Sequence, residues 1–140
     1  MVIKRIVVGY DGSKYSKKAL EAAISLAKTL EASVTVLAVV RAPEFSPTID
    51  EIDEAYKNGE RTIKPQLEEI RRIGEENKIA LNAVILHGHP AESIVKYASD
   101  KKADLIIVGT RGAGGFKSLI IGSVAQKVVG YSKVPVLVIK

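Results

Sequence analysis

The sequence predicts a doubly wound α/β domain, on three observations. Five short runs, IKRIVVGY, SVTVLAVV, IALNAVIL, ADLIIVGT and VPVLVIK, are rich in Val and Ile, and several are apolar on consecutive residues. Consecutive apolar residues suit strands covered on both faces, as in a parallel sheet. The segments between the runs carry apolar residues at three- and four-residue intervals, and strand alternating with helix is the pattern of this fold class.

Taken in order, the first run leads through Asp-Gly into a helix over 13–30, where Ala19, Ala22, Ala23, Leu26, Ala27 and Leu30 share a face and Ser13 is placed to cap. After the second run, RAPEFSPTIDE reads as a loop, followed by a charged helical stretch over about 50–77. Gly59 and Pro65 interrupt that stretch, which leaves two helices, one kinked helix or a partly mobile segment open. The connection is read as a crossover, which parallel strands require, rather than as a lid. The third run precedes a helix over 90–101, with Pro90 at its first position and Ile94, Val95 and Ala98 on its apolar face. His87 and His89 form H-x-H, but without a carboxylate or thiol companion this spacing rarely holds metal, and His89 is read as part of the turn opening the helix. After the fourth run, Ile121, Val124, Ala125, Val128 and Val129 outline a helix over 118–131, and the fifth run closes the chain.

Length and composition agree. The 140 residues make one domain, 1–140, with a core large enough to need neither disulfide nor metal. The absence of cysteine excludes thiolate chemistry and a disulfide framework. No apolar run approaches the ~18 residues of a membrane helix, and the N-terminus does not read as a signal peptide, so a cytoplasmic protein without a membrane partner is expected. The net charge of +5 comes from 21 basic and 16 acidic residues spread along the chain. With that spread and only seven aromatics, nucleic acid is not an expected partner, and the charge is read as a solvated surface.

One stretch stands apart. GTRGAGGFKSLIIGS, residues 109–123, holds five glycines just beyond the end of the fourth run and leads into the last helix. Open α/β sheets bind ligands at that edge, where glycines let backbone N–H groups approach an anion and the helix N-terminus adds partial positive charge. Two common phosphate loops are excluded. The sequence has no Gly-Lys pair for G-x-x-x-x-G-K-[ST], and Lys117 stands where the last glycine of G-x-G-x-x-G belongs. The spacing that fits is G-x2-G-x9-G-S, on Gly109, Gly112, Gly122 and Ser123.

That spacing resembles the ATP-binding signature of the universal stress protein family. IKRIVVGYDGSKYSKKALEAAISLA resembles the family's first strand, Asp-bearing turn and helix, and GHPAESIVKYA its Gly-x-Pro turn. The segment from ADLIIVG to the C-terminus resembles its C-terminal half throughout. The resemblance implies five parallel strands in the order 3-2-1-4-5 with helices on both faces, so that the YDGS and GTRG loops face one crevice. It implies that Asp11 meets the adenosine part of ATP, that Gly9 and Tyr10 line the same edge, and that the Val39 backbone contacts adenine. A tyrosine at position 10, where many members carry a small residue or proline, either stacks on the ligand or crowds it. Val108, Gly109, Arg111 and Gly112 match the ribose and phosphate loop. Gly122, Ser123, Val124 and Ala125 match the phosphate-facing helix start, which the resemblance moves from 118 to about Ser123. The same residues also have structural readings, Asp11-Gly12 as a turn, Gly122 in helix packing and Ser123 as a cap.

The resemblance further implies an ATP-binding stress or regulatory module with hydrolysis absent or slow. An ATPase switch working with a partner protein is the alternative. Magnesium or manganese would arrive on the ATP phosphates, with Asp11 helping. The last strand, 134–139, is expected at an edge, where it would pair in a homodimer.

Overall fold

The run IKRIVVGY forms strand β1 (Arg5–Gly9), in which Ile6 and Val8 point to one side of the sheet and Val7 to the other. The structure is a computed structural model and describes residues 1–44, 48–111 and 121–140. The chain continues through α1 (Lys14–Leu30), β2 (Ser33–Arg41), α2 (Ile49–Glu76), β3 (Leu81–Gly88), α3 (Pro90–Asp100), β4 (Leu105–Gly109), α4 (Ser123–Tyr131) and β5 (Val136–Ile139). All strand pairs are parallel, in the order β3-β2-β1-β4-β5.

Both sheet faces are covered. On one, Ile6, Val8, Val36 and Ile107 pack against Ala19 and Ala23 of α1 and against Ile63, Leu67 and Ile70 of α2. On the other, Val7, Leu37, Ile106 and Val108 pack against Ile94 and Ala98 of α3 and Ala125 and Val128 of α4. Full burial of each Val, Leu or Ile side chain among these contributes roughly 1.5–3 kcal/mol, and burial on both faces explains why the runs are apolar without alternation.

The helix ends follow local chemistry. Ser13 accepts the Ser16 N–H at the start of α1, and Thr48 accepts the Glu51 N–H at the start of α2. His89 occupies the cap of α3 with Pro90 at its first position, as expected from the sequence. The ring of His87 lies elsewhere, stacked on Tyr56 with centroids 4.3 Å apart and with Nε2 2.5 Å from Glu60 Oε1.

The three possibilities left open for the long charged stretch resolve into one continuous helix. α2 runs 28 residues through both Gly59 and Pro65. A Cβ on Gly59 would lie 2.4 Å from Val40 Cγ1, so the glycine lets α2 close onto β2. The ~3 kcal/mol that an interior proline costs is offset by burial of Ile63, Leu67 and Ile70 around it.

At the amino end of the sheet, Asp104 Oδ2 accepts the N–H groups of Lys4 and Arg5, both at 2.9 Å, and the Asp104 N–H returns to the Arg5 carbonyl. Those two backbone donors hold the Asp104 carboxyl below its usual range. The clasp sets β1 and β4 side by side with Val8 opposite Ile107, and the other ends of these two strands carry the candidate site.

Candidate functional site

From β1 the chain goes outward through β2 and β3, and β4 then starts on the opposite side of β1. Loops after β1 and β4 therefore part to opposite faces and leave a crevice between them. The crevice encloses about 100 Å³. Gly9, Tyr10 and Asp11 line it from β1, Leu37, Val39 and Arg41 from β2, and Val108, Gly109 and Arg111 from β4. Ser16 of α1, Pro90 and Ile94 of α3, and Val124 of α4 complete the wall.

Each contribution has a local cause. Gly12 holds φ +83°, a conformation that favours glycine, and this turns the chain from β1 into α1. Asp11 Oδ1 accepts the Ser13 N–H at 2.9 Å across the turn, while the carboxylate stays exposed at the crevice. Tyr10 lines the crevice but is only 7% exposed, and its ring belongs to the α1/α2 core. Its hydroxyl donates to Gln66 Oε1 at 3.1 Å, and burial raises the phenol pKa, with the Asp11 charge adding to the shift. Tyr10 thus ties the crevice to α2.

The far wall is built around Thr110. Its N–H donates to the Ile139 carbonyl and its own carbonyl accepts the Gly122 N–H, so the end of β4 is bonded both to β5 and to the start of α4. Gly122 is the α4 cap residue, in extended conformation and without a side-chain cap bond. The helix begins at Ser123, where the resemblance moved it, and position 118, the start read from periodicity, lies outside the described residues. The first N–H groups of such a helix lack intrahelical acceptors and form the positive end of its dipole.

Of the residues singled out in the sequence, Gly9, Tyr10, Asp11, Val39, Val108, Gly109, Arg111 and Val124 meet at the crevice. Gly122 and Ser123 stand beside it at the head of α4, and Ala125 is buried in the α3/α4 core. Gly112 lies outside the described residues. Sequence reasoning missed Ser16, Leu37, Arg41, Pro90 and Ile94. Arg41, a cation closing an apolar strand at its carboxyl end, offered a signal, whereas Leu37 and Ile94 read simply as core.

The arrangement joins an apolar slot, formed by Leu37, Val39, Ile94 and Val108, to a polar mouth with Asp11, Arg41, Arg111 and the α4 N-terminus. It suits a ligand with a flat apolar ring and an anionic tail. Among the described residues no group of three or more His, Asp or Glu side chains is placed to hold a metal ion. Among them, no helix is long and apolar enough to cross a membrane.

Residues 3–140 match the model of the universal stress protein family. Universal stress protein MJ0531 of Methanocaldococcus jannaschii is 36% identical over 98% of this chain and 82% of its own length. The solved structure of MJ0577 superposes with a TM-score of 0.92 at 28% identity, covering 100% of this chain and 97% of that one. A universal stress protein crystallised in complex with cAMP superposes at 0.76 with 26% identity, covering 100% of this chain and 99% of its own.

Proposed function

The chain belongs to the universal stress protein family, and on that premise we propose that its crevice binds an adenine nucleotide, ATP foremost, as the input of a stress-response or regulatory module. The observation that carries this reading is the bond from Gly122 N–H to the Thr110 carbonyl, which sets a helix N-terminus at the mouth of an apolar slot at the strand-order switch. A family structure in complex with cAMP supports the ligand class.

The enclosed volume of about 100 Å³ is below the ~300–1,000 Å³ of sites that engulf a whole ligand. The slot takes the base, against the Val39 backbone, with Asp11 accepting hydrogen bonds from ribose hydroxyls. The phosphates lie outside it, on the first N–H groups of α4 and on Arg111. The Ser123 hydroxyl is a further donor to a phosphate oxygen. Magnesium or manganese would come with the phosphates, beside Asp11.

The direct test is mass spectrometry of the small molecule released when freshly purified protein is denatured. The expected species is an adenine nucleotide, recovered as intact ATP where hydrolysis is slow. A protein that releases none and takes up no ATP in calorimetry overturns the reading.

β5 lies at the edge of the sheet, with Leu137 37% exposed. We propose that this edge pairs with the β5 of a second copy, since an open strand edge is a template for further pairing. Solution scattering at tens of micromolar is expected to give the mass of a dimer, and a monomer mass there would refute the pairing.

A further inference from the structure

We propose that Lys14 and Lys18, gathered with Arg111 around the ring of Tyr15, form a basic pad at the mouth of the crevice that selects ligands by the length of their phosphate chain. Lys14 Nζ lies 5.5 Å from the ring centroid, Lys18 Nζ 5.7 Å and Arg111 Cζ 5.9 Å. All three are within the ~6 Å over which an aromatic quadrupole attracts a cation. Tyr15 is held in place by its backbone, which packs so tightly on Gly109 that a Cβ there would sit 2.7 Å from Tyr15 C and O.

This grouping runs against local electrostatics. Lys14 and Lys18 are i and i+4 on one helix face, where like charges repel. Lys14 sits at the positive end of α1, where acidic side chains are favoured, the first turn contains none, and Lys18 follows one turn later. Among the described residues neither lysine joins an ion pair. The carboxylates flanking them in sequence are Asp11, which receives the Ser13 N–H, and Glu21, further along α1. Cations collected against helix preference are relieved by an anion, and departures from local rules of this kind concentrate at functional sites.

Arg111 connects the pad to the nucleotide site. It is a wall of the crevice, and a Cβ on Gly122 would lie 3.3 Å from Arg111 Cα, so the start of α4 adjoins it. The inference rests on the nucleotide reading for its ligand. The first phosphate is met by the α4 N-terminus, and the more distal phosphates reach the lysines. A triphosphate is therefore preferred over a monophosphate.

The test compares dissociation constants of ATP, AMP and inorganic tripolyphosphate for the parent protein, Lys14→Gln/Lys18→Gln and Lys14→Arg/Lys18→Arg. The Gln pair is expected to weaken ATP and tripolyphosphate about tenfold or more, with AMP changed less than about twofold, and the Arg pair to restore ATP. Equal loss for ATP and AMP, or no loss for either, overturns the pad and leaves the nucleotide reading standing. Lysine-dependent binding of tripolyphosphate by a parent that binds no nucleotide keeps the pad and removes the nucleotide reading. A parent that binds none of the three removes both.

Discussion

Gly122→Val is expected to abolish ATP binding while the domain stays folded. The Gly122 backbone has φ −75° and ψ 168°, which any residue adopts, so the effect is one of space. A Cβ there would lie 3.2 Å from the Thr110 carbonyl oxygen and 3.3 Å from Arg111 Cα, and valine adds two methyl groups to that contact. The start of α4 must then move off the end of β4, and the Gly122 N–H leaves the Thr110 carbonyl. Gly122 is only partly buried, and α4 is anchored further along by Ala125 and Val128, so the stability cost stays within the ~1–3 kcal/mol of local overpacking. Binding suffers more. Hydrogen bonds to a charged group contribute ~1.5–3 kcal/mol each, and displacement of two phosphate-facing amides lowers affinity on the order of 10²–10⁴-fold. Calorimetric titration with ATP, beside a thermal melt, separates the two effects. A folded variant that keeps its affinity would place the phosphates somewhere other than the α4 N-terminus.

Residues such as Ile6, Val7 and Val8 made the strands legible, because burial on both faces leaves an unbroken apolar run that few other structures produce. Strand order was not legible from periodicity and came from the family resemblance, and the order is what brings Asp11 and Arg111 to one crevice. Within α2 local signals misled. Gly59 and Pro65 are both helix breakers by propensity, yet Gly59 serves close approach to Val40, and packing around Pro65 keeps the helix continuous. The crevice residues that sequence reasoning singled out sit at strand ends and in the glycine-rich signature. Those it missed, Leu37 and Ile94 among them, look like any core residue, because only the position of their elements in three dimensions puts them at the opening. The contact of Tyr15 with Gly109 joins residues 94 positions apart in the chain and leaves no local trace.

That contact makes Gly109→Ala the substitution expected to cost most in stability among the crevice glycines. The new Cβ would lie 2.7 Å from three Tyr15 atoms, the carbonyl carbon and oxygen of the backbone and the side-chain Cβ. No rotamer change relieves a clash with backbone, so α1 or the end of β4 must move by several tenths of an ångström. α1 resists as a unit, because Ala19, Ala23 and Ala27 are fully or almost fully buried against the sheet and leave no slack. Overpacking of this kind costs ~1–3 kcal/mol, a fall in Tm of roughly 2–12 °C for a domain of this size. Gly9→Ala provides the contrast on the opposite wall. Its Cβ would meet Ile94 Cδ1 at 2.9 Å, the free end of a side chain that turns aside at small cost. The expected order of melting temperatures is parent, Gly9→Ala, then Gly109→Ala, with ATP affinity lost in the last because Tyr15 and Arg111 shift together. If Gly109→Ala melts with the parent and loses only ATP, the glycine serves the ligand's approach alone. The packing role assigned here to the α1–β4 contact would then be wrong.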